Sequence, residues 1–159
     1  MITYTEFPSP LGTLLIAATE RGLHGIYFEA HRHFKGKDSW QHQPQQPILR
    51  RTVAQLEEFF AGKRTEFDIP LDMVGTPFQQ EVWQQLLRIP YGATVSYGEH
   101  AQAVGRPKAA RAVGAAIGRN PVSIIVPCHR VIGSNGSLTD YAGGLERKRT
   151  LLTLEATAC

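Results

Sequence analysis

Cysteine is nearly absent from this chain: its 159 residues hold two, Cys128 and Cys159. Two thiols cannot form a disulfide framework. The fold must therefore rest on an apolar core, and a reducing, cytoplasmic setting is expected. No apolar run comes near the roughly 20 residues that span a bilayer, so no membrane helix is expected. The opening Met1-Ile2-Thr3-Tyr4-Thr5-Glu6 has no basic start and no long apolar stretch, so no secretory signal is expected. Internal repeats and low-complexity tracts are missing as well. The N-terminal half has no cysteine and no carboxylate cluster beside His31, His33 and His42. Those three histidines lack the partners of a tetrahedral zinc site, and no metal is expected.

What the chain does have is 42% hydrophobic residues, enough for a core. Its net charge of +3 is unevenly spread. Residues 1–75 carry 8 Lys/Arg against 9 Asp/Glu, a balance of −1, and residues 76–159 carry 9 against 5, a balance of +4. A basic half suits a polyanionic partner, and equally an ordinary solvated face.

Ile2–Phe7, Thr13–Thr19 and Leu23–Phe28 read as strands of an antiparallel meander, separated by turn-forming residues. Residues 30–47 are polar and read as a surface loop. Ile48–Phe60 reads as a helix with an apolar stripe of Ile48, Leu49, Val53, Leu56 and Phe60, stopped by Gly62. Thr65–Ile69 reads as a short strand and residues 70–75 as a linker.

Thr76-Pro77-Phe78-Gln79 forms a capping box with proline at the first helical position. Phe78, Val82, Trp83, Leu86 and Leu87 are its expected buried face. Ala93–Val95 is expected to be extended. Ser96 and Glu99 make a second capping box for a helix ending at Val104, and Pro107 is expected to open another helix running to about Gly118. Two short helices joined by a glycine turn have helix-turn-helix form, and a plain helical hairpin has the same pattern. Ala109, Ala110, Ala112, Gly114, Ala115 and Ala116 are small enough for close approach, either to the core or to a nucleic-acid groove. Arg111 stands alone among them. Leu145–Glu155 reads as the last helix, anchored by Leu145, Leu151, Leu152 and Leu154.

Between these helices lies Ile124-Ile125-Val126-Pro127-Cys128-His129-Arg130-Val131-Ile132. Val122–Val126 reads as a buried strand that Pro127 ends. Cys128 then stands in a bend beside His129 and Arg130. An imidazole and a cation lower a thiol's pKa from about 8.5. In a regular strand residues 128 and 129 would face opposite ways, so His129 serves Cys128 only through a turn or a bridging water. Most buried cysteines are inert, and the pair alone does not decide.

The wider string decides more. Pro127-Cys128-His129-Arg130-Val131-Ile132 resembles the active-site signature of the O6-alkylguanine-DNA alkyltransferases, also called methylated-DNA–protein-cysteine methyltransferases. Ser96-Tyr97-Gly98, the run Arg106–Gly114, Asn120-Pro121, Tyr141–Leu145, Leu151-Leu152 and Glu155 resemble that family in order and spacing. The likeness covers about residues 76–155 strongly and the N-terminal half loosely.

The resemblance implies an α/β (α+β) fold of two lobes. Residues 1–75 would form an antiparallel sheet with a helix. Residues 76–159 would form a mostly helical DNA-binding and alkyl-acceptor domain, with a helix-turn-helix and a short active-site strand. It also implies repair of double-stranded DNA by irreversible, one-time transfer of an alkyl group from O6-alkylguanine to Cys128, by a monomer without cofactor. His129 would take the thiol proton, Glu155 would hold and charge His129, and Tyr97 would help rotate the nucleotide and protonate the departing guanine. Asn120 would brace the helix-turn-helix against the active-site loop. Arg111 would fill the stack left by a flipped base, with the recognition helix in the minor groove. Arg106, Lys108, Ala110 and Arg119 would meet the DNA, and Pro127, Val131, Tyr141 and Ala142 would border the pocket.

One residue departs from the pattern. Asp140 stands where the family often has glycine or an amide, which puts DNA affinity or tolerance of bulky alkyl groups in doubt. Two rival readings are a non-repairing module that binds alkylated DNA and a cysteine hydrolase. Relatives of the first kind replace the acceptor cysteine, which this chain keeps. The second would turn over repeatedly. A transcriptional regulator is a third rival, but Arg111 among alanines offers few side chains for reading bases.

Overall fold

The structure is a computed structural model that describes residues 2–28, 39–136, 141 and 144–157. Strands β1 (Thr3–Ser9), β2 (Gly12–Ala18) and β3 (Leu23–Phe28) form the expected antiparallel meander. In β1 the buried residues alternate, Thr3, Thr5 and Phe7, as in a strand with one covered face. In β2 all five residues from Leu14 to Ala18 are buried, because it lies between β1 and β3 and is covered on both faces. Residues 41–42 correct the reading of 30–47 as loop: β4 (Gln41–His42) pairs in parallel with the free edge of β1. His31 and His33 lie outside the described residues.

Helix α1 (Pro47–Phe60) covers the sheet with Leu49, Leu56 and Phe59. The Gln46 side chain accepts from the amides of Ile48 and Leu49, and Gly62 follows the helix at φ 75°, a value that favours glycine. Thr65–Ile69 is not a strand. The Gln55 side chain stands in for a neighbouring strand there, accepting from Asp68 N at 2.9 Å and donating to Asp68 O at 3.2 Å. The exposed edge of β3 instead holds the next segments: Leu23 N donates to Pro70 O, Asp72 N to Leu23 O, and Ile26 N to Pro121 O.

The second half is mostly helical. Helix α2 (Pro77–Leu86) has the complete capping box of Thr76 and Gln79. Leu87, expected inside, is 40% exposed because it lies past the helix end. Strand β5 (Val95–Ser96) leads into α3 (Tyr97–Ala103), capped by Ser96 and Glu99. Helix α4 (Ala110–Gly118) begins three residues later than Pro107 suggested. Pro107 and Lys108 make a separate turn closed by Ala109 N to Arg106 O, and Ala109 leaves helical backbone angles at φ −111° and ψ 33°. Helix α5 is Leu145–Thr157, and its Leu145 is 45% exposed rather than an anchor.

One continuous core joins Phe7, Ile16 and Ile26 of the sheet, Phe59 of α1, Trp83 and Leu86 of α2, Val113 of α4 and Leu151 of α5. Trp83 fastens α4: its indole Nε1 donates to Ala116 O at 2.8 Å inside the core. Trp83→Phe removes this bond and leaves a small void. It should destabilise the protein by about 1–3 kcal/mol, read as an earlier urea midpoint with an unchanged slope.

Candidate active site and nucleic-acid face

The site is built on residues 120–132. Val122–Val126 is not a strand, although every residue from Val122 to Val131 is buried. Only Val122 bridges to Ile26. After it the chain turns, with Ile125 N donating to Ser123 O and Val126 N to Val122 O, and Ile124 takes φ 74°. That angle is strained for a β-branched residue. It is held because Asn120 supplies the partners a strand would have found. Its amide donates to Val126 O at 2.8 Å, and its carbonyl accepts from Val122 N at 3.0 Å. A short apolar run reads as a strand because both are buried on all sides.

Cys128–Arg130 then forms one turn of 3-10 helix, so the chain bends where His129 needed it to. Strand β6 (Val131–Ile132) follows and pairs in parallel with β5, Val95 opposite Val131. This pairing sets the start of α3, and Tyr97 with it, beside the exit of the cysteine turn.

His129 is fully buried, and its Nε2 lies 2.8 Å from Glu155 Oε2. Arg130 grips the same carboxylate twice, Nε to Oε1 at 2.9 Å and Nη2 to Oε2 at 2.7 Å. Burial pushes the Glu155 carboxyl up, but the hydrogen bonds and charges of His129 and Arg130 prevail and bring it down to about 2. Burial lowers the pKa of His129 and outweighs the upward pull of Glu155, so the imidazole is neutral at rest rather than held charged. Its Nδ1 has no hydrogen-bond partner among the described residues.

Burial likewise pushes the Cys128 thiol up to about 11, and an Asn120 hydrogen bond and the Lys148 charge offset this only in part. The expected lowering by neighbouring positive groups therefore does not win, and the resting sulfur carries its proton. A protonated thiol beside a neutral imidazole is a nucleophile that needs a base and has one at hand.

Tyr141 is buried and near enough to Cys128 for an ionised sulfur to act on it; burial first, and then that repulsion, raise its phenol well above the ordinary value. The ring of Phe28 meets it edge-on at 6.0 Å. Val131 O accepts from Lys148 Nζ at 2.7 Å, and Lys148 Nζ lies 5.9 Å from the Tyr97 ring. Pro127 lines a cavity of about 800 Å³ on the side of Arg130, Tyr91 and Phe67, which neither Cys128 nor Tyr141 borders. Ala142 and Asp140 lie outside the described residues. Among the described residues no three His, Cys, Asp or Glu side chains gather as metal ligands.

Two parts of this centre carry no role in the local sequence: Arg130 reads there only as a basic neighbour of Cys128, and Lys148 stands in no motif. Lys148 has a signal in its spacing: Lys148, Leu151 and Glu155 fall at i, i+3 and i+7, which puts two charged groups on the apolar face of α5.

The small-residue helix shows a separate surface. Arg111, Ala112, Ala115 and Arg119 are exposed on α4, with Ala110 and Lys108 at its start, while Val113, Ala116 and Ile117 face the core. Gly114 lies against Tyr97, where an added Cβ would sit 3.5 Å from the ring. Arg106 is engaged on its own surface, with Glu81 at 3.1 Å and over the Phe78 ring at 5.1 Å.

The chain belongs to the 6-O-methylguanine DNA methyltransferase family. Residues 77–157 match the DNA-binding domain of that family and residues 2–73 its ribonuclease-like domain. The methylated-DNA–protein-cysteine methyltransferase of Mycobacterium bovis is 50% identical over 155 residues, 98% of this chain and 93% of that one. The crystal structure of the Mycobacterium tuberculosis O6-methylguanine methyltransferase superposes with a TM-score of 0.93 at 48% identity, covering 100% of this chain and 95% of that one. The structure of Mycobacterium tuberculosis OGT in complex with DNA gives a TM-score of 0.91 at 48% identity, covering 99% and 94%. The mixed α/β architecture is the same in these structures. No helix among the described residues is long and apolar enough to cross a membrane.

The buried charges make stability depend on pH. His129 binds its proton more weakly when folded than its ordinary 6.5, so folding loses stability as pH falls below that value. Glu155 drops from 4.5 to about 2 on folding, so its contribution is present above 4.5 and vanishes as pH falls toward 2. That shift corresponds to about 3 kcal/mol. Urea unfolding from about pH 8 down to about pH 3 should show a progressive loss, and Glu155→Gln should flatten its lower part. Equal pH slopes for both proteins below pH 4.5 would contradict this assignment.

Proposed function

We propose that this protein repairs double-stranded DNA by moving the alkyl group of O6-alkylguanine onto Cys128, once per molecule. The observation that carries the reading is the buried, protonated Cys128 thiol in the same turn as the buried, neutral His129 that Glu155 holds. Family membership and a DNA-bound relative of the same fold support it.

The thiol proton passes to His129 Nδ1, through a water, as the sulfur attacks the saturated carbon on O6. The S–C bond forms as the C–O6 bond breaks. Tyr97 gives a proton to the departing guanine, and the thiol's proton passes from His129 through solvent to restore the Tyr97 hydroxyl. The sum is a thioether and guanine. A thioether sulfur has no proton to lose and is a poor leaving group, so the protein is consumed. Neither a metal nor a cofactor enters this sequence.

In duplex DNA the target base must be turned out of the stack. The exposed α4 face would lie in the minor groove, with Arg111 entering the gap and Lys108 and Arg119 near phosphates. Asn120 would hold the turn that carries Cys128, and Val131 and Tyr141 would border the pocket. Residues 76–159 would form the reacting and DNA-binding lobe of a cytoplasmic monomer, with residues 1–75 as its support.

Incubation with methylated duplex DNA should add one methyl mass to the peptide holding Cys128, and Cys128→Ser should abolish it. Intact-protein mass spectrometry separates the rivals: a binding module gains no mass, and a hydrolase clears many lesions per molecule. Arg111→Ala should slow repair in duplex DNA by about tenfold or more, since unstacking a base costs a few kcal/mol. The same variant should react almost normally with free O6-benzylguanine. Equal losses on both substrates would remove the stack-filling role.

A further inference from the structure

We infer that Arg130 is a positioning residue for proton removal from Cys128: by taking up the charge of Glu155, it keeps His129 neutral and able to accept that proton. This rests on the reading of His129 as the base for Cys128. Arg130 is itself buried, 6% exposed. Besides its two bonds to Glu155, Nη1 donates to Ile89 O at 2.6 Å, and the guanidinium carbon lies 5.7 Å from the centre of the Tyr91 ring. Glu155 Oε2 thus serves two donors, His129 Nε2 at 2.8 Å and Arg130 Nη2 at 2.7 Å.

A buried carboxylate with an imidazole as its sole partner is a proton trap, because the imidazolium would supply the compensating charge that burial demands. A guanidinium already supplies it here. Arginine does not give up its proton in a protein, so the compensation holds at every working pH. The fork keeps both oxygens occupied and leaves Oε2 free to orient the ring without drawing a second positive charge. The other charged group acting on His129 is Lys148, from α5; Cys128 stands in the same turn as His129. Lys148 repels an imidazolium, in the same sense as Arg130. Asn120, beside Cys128, carries no charge, and Tyr141 stays protonated.

The test is the pH dependence of the single-turnover rate with free O6-benzylguanine, a substrate that leaves DNA binding out of the measurement. The wild-type protein should hold its rate down to an acid limb below 6.5, the ordinary imidazole value. In Arg130→Gln that limb should rise by about one pH unit or more, about tenfold in rate on the limb. Arg130→Lys keeps a cation without the fork, so its limb should stay near the wild-type position even where the rate is lower. A uniformly slower Arg130→Gln with an unmoved limb would show a merely structural residue and overturn the inference. So would a limb in Arg130→Lys displaced by about a full unit, which also decides the matter should Arg130→Gln not fold. If the wild-type protein is not alkylated at Cys128 at all, it is the alkyl-transfer reading that fails and not the role of Arg130.

Discussion

One carboxylate, Glu155, joins everything that matters in the C-terminal half. It comes from α5 and receives His129 and Arg130 from the cysteine turn, with all three side chains buried. An ionised carboxylate in such a place is tolerable only when it is paired and hydrogen-bonded. The same pairing docks α5 against the turn, through Glu155 at one end and Lys148 on Val131 O two helical turns earlier. Stability and chemistry therefore share their atoms: the contacts that hold the turn also set the proton affinity of the imidazole.

The turn needs this bracing because its backbone is not in an easy conformation. Ile124 has a positive φ and a buried side chain, a combination that local preference opposes. Asn120 meets the polar groups of the turn from one side, and the cores of α2, α4 and the sheet press on it from the other. In return the thiol is withdrawn from solvent. Burial raises its pKa, which makes the resting sulfur unreactive and makes its activation depend on a neighbour. A buried, protonated thiol is shielded from random oxidation.

The exposed face of α4 is built differently. It presents alanines and two arginines rather than a dense charge cluster, and it is held to the core by Trp83 from α2. Tyr97 stands between this face and Lys148: Gly114 lies against one edge of its ring, and Lys148 Nζ sits over the ring. The short β5–β6 pair, only two residues a side, keeps Tyr97 and the cysteine turn in register. The N-terminal sheet contributes through β3, whose edge amides hold Pro70 and Pro121 and whose Phe28 backs Tyr141.

Local chemistry made much of this legible in the sequence. The three strands, the capping boxes at Thr76 and Ser96, the stop of α1 before Gly62 and the amphipathic face of α2 all follow from patterns a few residues long. The cysteine, its histidine and Glu155 were named through a family resemblance, and their partnership spans 26 residues of chain that no local rule connects. What only the tertiary structure decided was where long-range partners replace local ones. Gln55 and Asn120 side chains took the places of neighbouring strands, so Thr65–Ile69 and Val122–Val126 became irregular segments. Burial reversed the expected shift of the thiol and overcame the pull of Glu155 on the imidazole. Desolvation depends on every atom packed around a group, and that is a property of the folded chain rather than of the residues beside it in sequence.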